Sequence, residues 1–242
     1  MFTHNFDPVL IDLYIVEVRW YSLAYIFGIL VGWFYAKKII KRLKNDSSLN
    51  DLEIKDFDDL IPYLVIGIIL GGRLGYVLIY NFDYYIKNLH EIFYIWNGGM
   101  SFHGGLIGII VTTIIFTSIK KIHTFIYLDI ISCVTPIGLF LGRVANFING
   151  ELYGKTTDLP WGVIFPNVGT FARHPSQIYE AILEGIVLFI LINFFALKKQ
   201  LLLKAGYVSG LFLIFYSLFL IKKIIKQPAR KVIELSMTPI EK

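Results

Sequence analysis

The sequence predicts an all-α integral membrane protein: a polytopic helical bundle of about six spanning helices, with its N-terminus outside the cytoplasm. Three observations carry that reading. Of the 242 residues, 56% are hydrophobic and only 17% charged, against the ~25% charged of an ordinary soluble domain. Several apolar runs approach the ~20 residues that a helix needs to cross a bilayer. Lysines and arginines gather in the short loops between those runs. Helices are expected because an open strand edge in lipid would leave its polar groups unpaired. No polar stretch is long enough to house a second core, so residues 1–242 read as one transmembrane domain.

Taken in order, the first span covers about Trp20 to Ile40 and the second Leu60 to Tyr80. The third, about Gly104 to Ile119, is short but is closed at once by Lys120 and Lys121. The fourth covers Phe125 to Phe147, the fifth Ile178 to Leu197 and the sixth Gly206 to Ile225. Val9 to Val18 is apolar too, but Asp12 and Glu17 interrupt it and it is too short to cross, so it is expected along the interface. Met1 to Leu10 carry no lysine or arginine ahead of an apolar core and no small-residue cleavage site, which argues against a signal peptide. Cys133 lies in an apolar segment and has no second cysteine to pair with, so it reads as a small packing residue.

Orientation follows from loop charge. Lys37, Lys38, Lys41, Arg42, Lys44 and Lys55 lie between the first two spans, and Lys120, Lys121, Lys198, Lys199 and Lys204 fall on the same side. The opposite side holds only Arg19, Lys87, Lys155 and Arg173 before the tail. The positive-inside rule places the richer side in the cytoplasm. The same distribution removes nucleic acid as a partner, since the net charge of +5 sits in loops rather than in a binding patch. The tail conflicts with six crossings, because it should be external yet carries Lys222, Lys223, Lys226, Arg230 and Lys231. Either these side chains snorkel around an external site, or a further crossing is absent from the chain.

Ionisable residues inside spans mark function. With this orientation, five segments of alternating direction bring polar groups to one leaflet: Tyr25; Arg73 and Tyr76; Asn97 and His103; Arg143, Asn146 and Asn149; and His174, Ser176, Gln177, Tyr179, Glu180 and Glu184. The site is therefore expected in the outer, non-cytoplasmic half of the membrane. Asp129 is the exception. It lies 14 residues before Arg143, about 21 Å along a helix, and reads as structural. Tyr76, Tyr80, Tyr84 and Tyr85 read as an interfacial aromatic belt.

The richest stretch is Gly142 to Gly154. In a helix, Arg143, Asn146 and Asn149 share one face; Gly150 ends the helix, and Glu151 is then expected to fold back toward Arg143. An arginine among amides and a carboxylate suits an anionic headgroup carrying hydroxyls. This stretch resembles the signature of the prolipoprotein diacylglyceryl transferase family. Four further blocks resemble that family in the same order: Arg19-Trp20-Tyr21 through Tyr25, Gly72 to Tyr76, Gly98 to Gly105, and Arg173 to Glu180.

The resemblance covers roughly residues 15 to 215 and implies a reaction. The sn-1,2-diacylglyceryl group of phosphatidylglycerol passes to the lipobox cysteine of a prolipoprotein signal peptide, with loss of glycerol phosphate. It implies a multi-pass enzyme of the bacterial inner membrane with its site toward the periplasm, no metal and no other cofactor. Arg143 suits the leaving phosphate. His103 is the candidate base, since histidines as a class titrate near neutrality, with a headgroup-bonding role as the alternative. Tyr25, Asn146, Asn149, Glu151 and Gly154 match headgroup positions of the family. Arg73 is expected to hold a second anionic group or to pair with Glu180 or Glu184.

The resemblance weakens in the tail, residues 220–242. Where the family shows an arginine-glutamate-proline-aspartate block, this chain reads Lys226-Gln227-Pro228-Ala229. Lys226 keeps a cation for the phosphate but lacks the guanidinium fork. The family usually has seven spans, and the chain as written offers six. A rival reading is therefore a weakened relative that binds phospholipid without transferring it.

Overall fold

The computed structural model describes residues 1–12, 14, 17–45 and 52–226, apart from the side chains of Asn97 and 221–226. The helices are α1 (Trp20–Asn45), α2 (Ile54–Gly75), α3 (Phe82–Tyr85), α4 (Phe102–Lys120), α5 (Thr124–Ile148), α6 (Ser176–Glu180), α7 (Leu188–Asn193) and α8 (Tyr207–Lys226). Short strands β1 (Phe2–Thr3), β2 (Val9–Asp12), β3 (Glu17–Arg19), β4 (Val163–Ile164) and β5 (Ala172–Arg173) lie outside the long helices. The chain is thus a mostly helical membrane protein. Among the described residues, five stretches are long and apolar enough to span: 20–45, 54–80, 102–120, 124–148 and 176–198. The sixth expected span begins as the apolar stretch Tyr207–Leu220 of α8.

Val9–Asp12 pairs antiparallel with Glu17–Arg19, so this stretch is a short β-ribbon leading straight into α1. Asp12 Oδ1 accepts from the backbone of Tyr14 at 2.8 Å, a local turn bond that favours the reversal.

The described chain divides into two compact units, residues 1–38 with 129–226, and residues 39–128. In the first unit, Asn193 of α7 donates to the Cys133 carbonyl at 3.0 Å and to the Phe189 carbonyl at 2.9 Å, and accepts from Tyr35 at 2.9 Å. One amide therefore ties α1, α5 and α7 together where lipid offers no competing water. Cys133 itself is fully buried, as a packing residue should be. Asp129 is fully buried and accepts from the backbone N–H groups of Gly206 and Ser209, each at 2.7 Å. A carboxylate on α5 thereby satisfies the orphan donors that open α8 and complements its dipole.

In the second unit, α2 and α4 meet along Gly67, Gly71, Gly104 and Gly108. A Cβ on Gly71 would stand 2.4 Å from the Gly104 carbonyl oxygen, so the two backbones touch where a side chain would hold them apart. Ser101 caps α4 by accepting from the Gly104 N–H at 3.1 Å.

Candidate active site

The first unit gathers the polar end of α5, the start of α6 and the start of α1. Helix α5 ends at Ile148, and Gly150 follows with φ +67°, the left-handed conformation that glycine adopts without penalty. Leu152 is left-handed as well, at φ +55°. Two such residues reverse the chain sharply. The reversal is pinned from α6: the Ser176 hydroxyl donates to the Leu152 carbonyl at 2.8 Å, and the Gln177 amide donates to the Glu151 carbonyl. Gln177 is fully buried, and its own Oε1 has no partner among the described residues.

Arg143 does not meet Glu151, as the sequence pattern suggested. It faces two carboxylates of the following span instead. Its Nε and Nη2 donate to Glu184 Oε2 at 3.1 and 2.8 Å, and Nη1 lies 3.0 Å from Glu180 Oε2. The Tyr216 hydroxyl of α8 lies beside the same guanidinium. The side chains of Glu184 and Arg143 retain 2% and 16% of their exposure, so this pairing is shielded and little screened. Two features bring the carboxylates there. The chain is wound as π-helix over Ala181–Val187, a local widening frequent at functional sites. Gly185 lets that turn pack on α5, since a Cβ there would lie 2.6 Å from Phe140 Cβ.

Glu151 faces the amides. Asn149 donates to its Oε1 at 3.4 Å, and Asn146 also bonds its carboxylate. The surrounding protein raises the Glu151 carboxyl above the ordinary glutamate range by desolvation, while the two asparagines and the charge of Arg19 pull the other way. Asn146 is buried and reaches toward the Tyr21 hydroxyl at 3.5 Å. Tyr21 and Tyr25 rings stand 5.2 Å apart, and Tyr21 is close enough to interact with both Glu151 and Arg143. Tyr25, half exposed, thus joins the cluster through Tyr21. Gly154 is buried where the chain passes His174: its N–H donates to the His174 carbonyl at 2.9 Å, and a Cβ would lie 2.8 Å from His174 Cβ.

His103 and Arg73 belong to the second unit. His103 is exposed in the first turn of α4, edge-on to Phe102, with no hydrogen bond among the described residues. Arg73 is buried and donates to the carbonyls of Glu91, Ile92, Gly98 and Gly99, with Tyr85 5.1 Å beneath it. It holds the loop ahead of α4, while Glu180 and Glu184, the partners considered for it, face Arg143 within the first unit. Tyr85 is correspondingly buried rather than part of a belt. Lys226 is the last described residue of α8, and its side chain lies outside the described residues.

Sequence reasoning missed Tyr21 as the link to Asn146, and Glu180 and Glu184 as partners of Arg143. The carboxylates had a legible signal: an i, i+4 pair just inside a span needs a cation nearby. Among the described residues, no three His, Cys, Asp or Glu side chains cluster closely enough to hold a metal ion. The arrangement provides a shielded cation, a pair of amides and a carboxylate at one membrane-span terminus, which suits a phosphorylated polyol.

The family model for prolipoprotein diacylglyceryl transferase matches residues 8–230. A Rickettsia felis protein named phosphatidylglycerol–prolipoprotein diacylglyceryl transferase is 50% identical over 225 residues, 93% of this chain and 85% of its own length. Proteins of the same name from Rickettsia canadensis and Rickettsia typhi are 48% and 49% identical, over 94% and 90% of this chain and 86% and 83% of their own lengths.

Proposed function

The chain belongs to the prolipoprotein diacylglyceryl transferase family, and we propose from that membership that it transfers the sn-1,2-diacylglyceryl group of phosphatidylglycerol to a prolipoprotein cysteine. The acceptor is the thiol of the lipobox cysteine, and the reaction opens bacterial lipoprotein maturation. The structural observation that supports this most is the shielded Arg143 guanidinium beside the Asn146–Glu151 turn.

The step is a displacement at carbon. The cysteine sulfur attacks the sp3 carbon that carries the phosphate ester; a C–S bond forms as the C–O bond breaks. The electron pair leaves on the phosphate oxygen of glycerol phosphate, and the thiol proton passes to a base. Arg143 stabilises the charge that develops on the leaving phosphate. Two of its five N–H groups donate to Glu184, Nη1 is ion-paired with Glu180 and the Tyr216 hydroxyl takes a further bond; the donors left over serve phosphate oxygens. Asn146, Asn149 and Glu151 bind the headgroup hydroxyls, Tyr25 closes the same cluster through Tyr21, and Gly154 keeps the chain close to it. His103, exposed and without a hydrogen bond among the described residues, takes the proton. Arg73 holds the loop ahead of α4, the helix that carries His103.

Loop charge supports a site in the outer, periplasmic half of the inner membrane, with the bilayer supplying phosphatidylglycerol laterally. Residues 1–242 act as one transmembrane domain in this reading. Lys226 adds a cation for the phosphate at the head of the divergent tail, most of which lies outside the described residues. The test uses purified protein, phosphatidylglycerol vesicles and a lipobox peptide. Mass spectrometry is expected to show one diacylglyceryl thioether per peptide and an equal yield of glycerol phosphate, and none with a serine-for-cysteine peptide. Phospholipid binding with no modified peptide supports the rival, a relative that only binds.

A further inference from the structure

We propose that His4, in the strap that precedes every spanning helix, is a positioning residue for the headgroup turn; this rests on the transferase reading above. The strap is built into the first unit. β1 pairs in parallel with β4, Phe2 with Val163 and Thr3 with Ile164, and the His4 N–H continues that ladder to the Ile164 carbonyl at 2.8 Å. This anchoring brings the His4 ring, about nine-tenths buried, into a box formed by Phe6, Phe147 and Phe165, with centroids 5.1–5.5 Å away.

Inside the box, His4 Nε2 lies 2.7 Å from the Phe147 carbonyl oxygen. A carbonyl can only accept, so the imidazole donates from Nε2. That carbonyl belongs to the last turn of α5, where four acceptors lack intrahelical partners. The Gly150 N–H shares it at 3.0 Å. A Cβ on Gly150 would lie 3.4 Å from His4 Cε1, so the ring also backs the left-handed residue that starts the reversal. His4 therefore fixes the end of α5 and the start of the turn together. Asn146 and Asn149 flank its acceptor, and Glu151 follows directly. The family match begins at residue 8, so His4 lies ahead of it. Nothing in the sequence pattern singled it out, because a lone histidine between Phe2 and Phe6 carries no motif.

Two substitutions separate donation from filling. His4→Phe fills the box without a donor, and His4→Gln keeps an N–H donor on a shorter group. With full-length protein, H4F is expected to lose roughly 5- to 10-fold in kcat/KM through a raised KM for phosphatidylglycerol. KM for the lipobox peptide stays unchanged, and H4Q recovers to within about twofold. Amide exchange over residues 147–151 quickens in H4F and not in H4Q. This second readout needs no turnover, so it decides the role of His4 even where wild-type transfer fails. If H4F does not fold, His4→Met replaces it. The proposal is overturned if the donor-free variant matches wild type in KM and exchange, or if H4Q is as impaired as it is.

Discussion

At the residue scale, Arg143 is a cation already engaged. Glu184 aligns its guanidinium edge-on through two N–H groups, and Glu180 holds the remaining corner. Arg143→Ala is expected to lower transfer by about 100-fold or more, the scale of a lost charge-stabilising donor, and Arg143→Lys recovers little of it because an ammonium cannot serve both carboxylates and a phosphate. Glu184→Gln keeps an acceptor for the guanidinium and retains more activity than Glu184→Leu, measured as kcat at saturating lipid. His103→Gln is expected to cut kcat while sparing the KM for phosphatidylglycerol; near-normal turnover removes it as the base. Glu151 adds a pH dependence. Its carboxyl ionises above the ordinary glutamate range, chiefly through desolvation, so the folded protein binds a proton that the unfolded chain has already released. Its stabilising contribution is complete below the unfolded value and is lost as pH rises through the folded one. Glu151→Gln should therefore melt no lower than wild type at neutral pH while raising the KM for phosphatidylglycerol. These arginine, asparagine and glutamate positions stood out by their spacing at the end of α5 and in the turn that follows it. Their partners were not, because which carboxylate reaches Arg143 depends on how the π-helical turn at Ala181–Val187 packs on Phe140.

At the scale of elements, the apolar runs were readable because a span must bury its own backbone bonds, and run length reports that directly. Helix ends were readable where local chemistry sets them, as at Gly150. The pairing of Val9–Asp12 with Glu17–Arg19 was not foreseen because its alternation is weak. Asp129 was recognised as structural without its partners, 77 and 80 residues along the chain. Asp129→Ala is expected to destabilise the folded protein by about 1–3 kcal/mol, since two buried N–H groups lose their acceptor, with Asp129→Asn less harmful; thermal unfolding in detergent reads the difference. In the second unit, Gly71→Leu forces α2 from α4 at a backbone contact and should abolish folding. Gly138→Ala, which meets no neighbour within 4 Å, should be silent in the same assay.

At the scale of the whole molecule, membrane character follows from composition and span length alone, while the chemistry needed the ordered motif blocks. The family match runs to residue 230, past Lys226, whose side chain lies outside the described residues. The central claim is that the cluster around Arg143 transfers a diacylglyceryl group to a cysteine thiol. Its most direct measurement is single-turnover transfer of acyl-labelled phosphatidylglycerol to a lipobox peptide, comparing wild type with Arg143→Ala of equal melting temperature. The account predicts stoichiometric label on the peptide with wild type and almost none with the variant. Equal labelling by both proteins, or lipid retained by wild type with no labelled peptide, contradicts it.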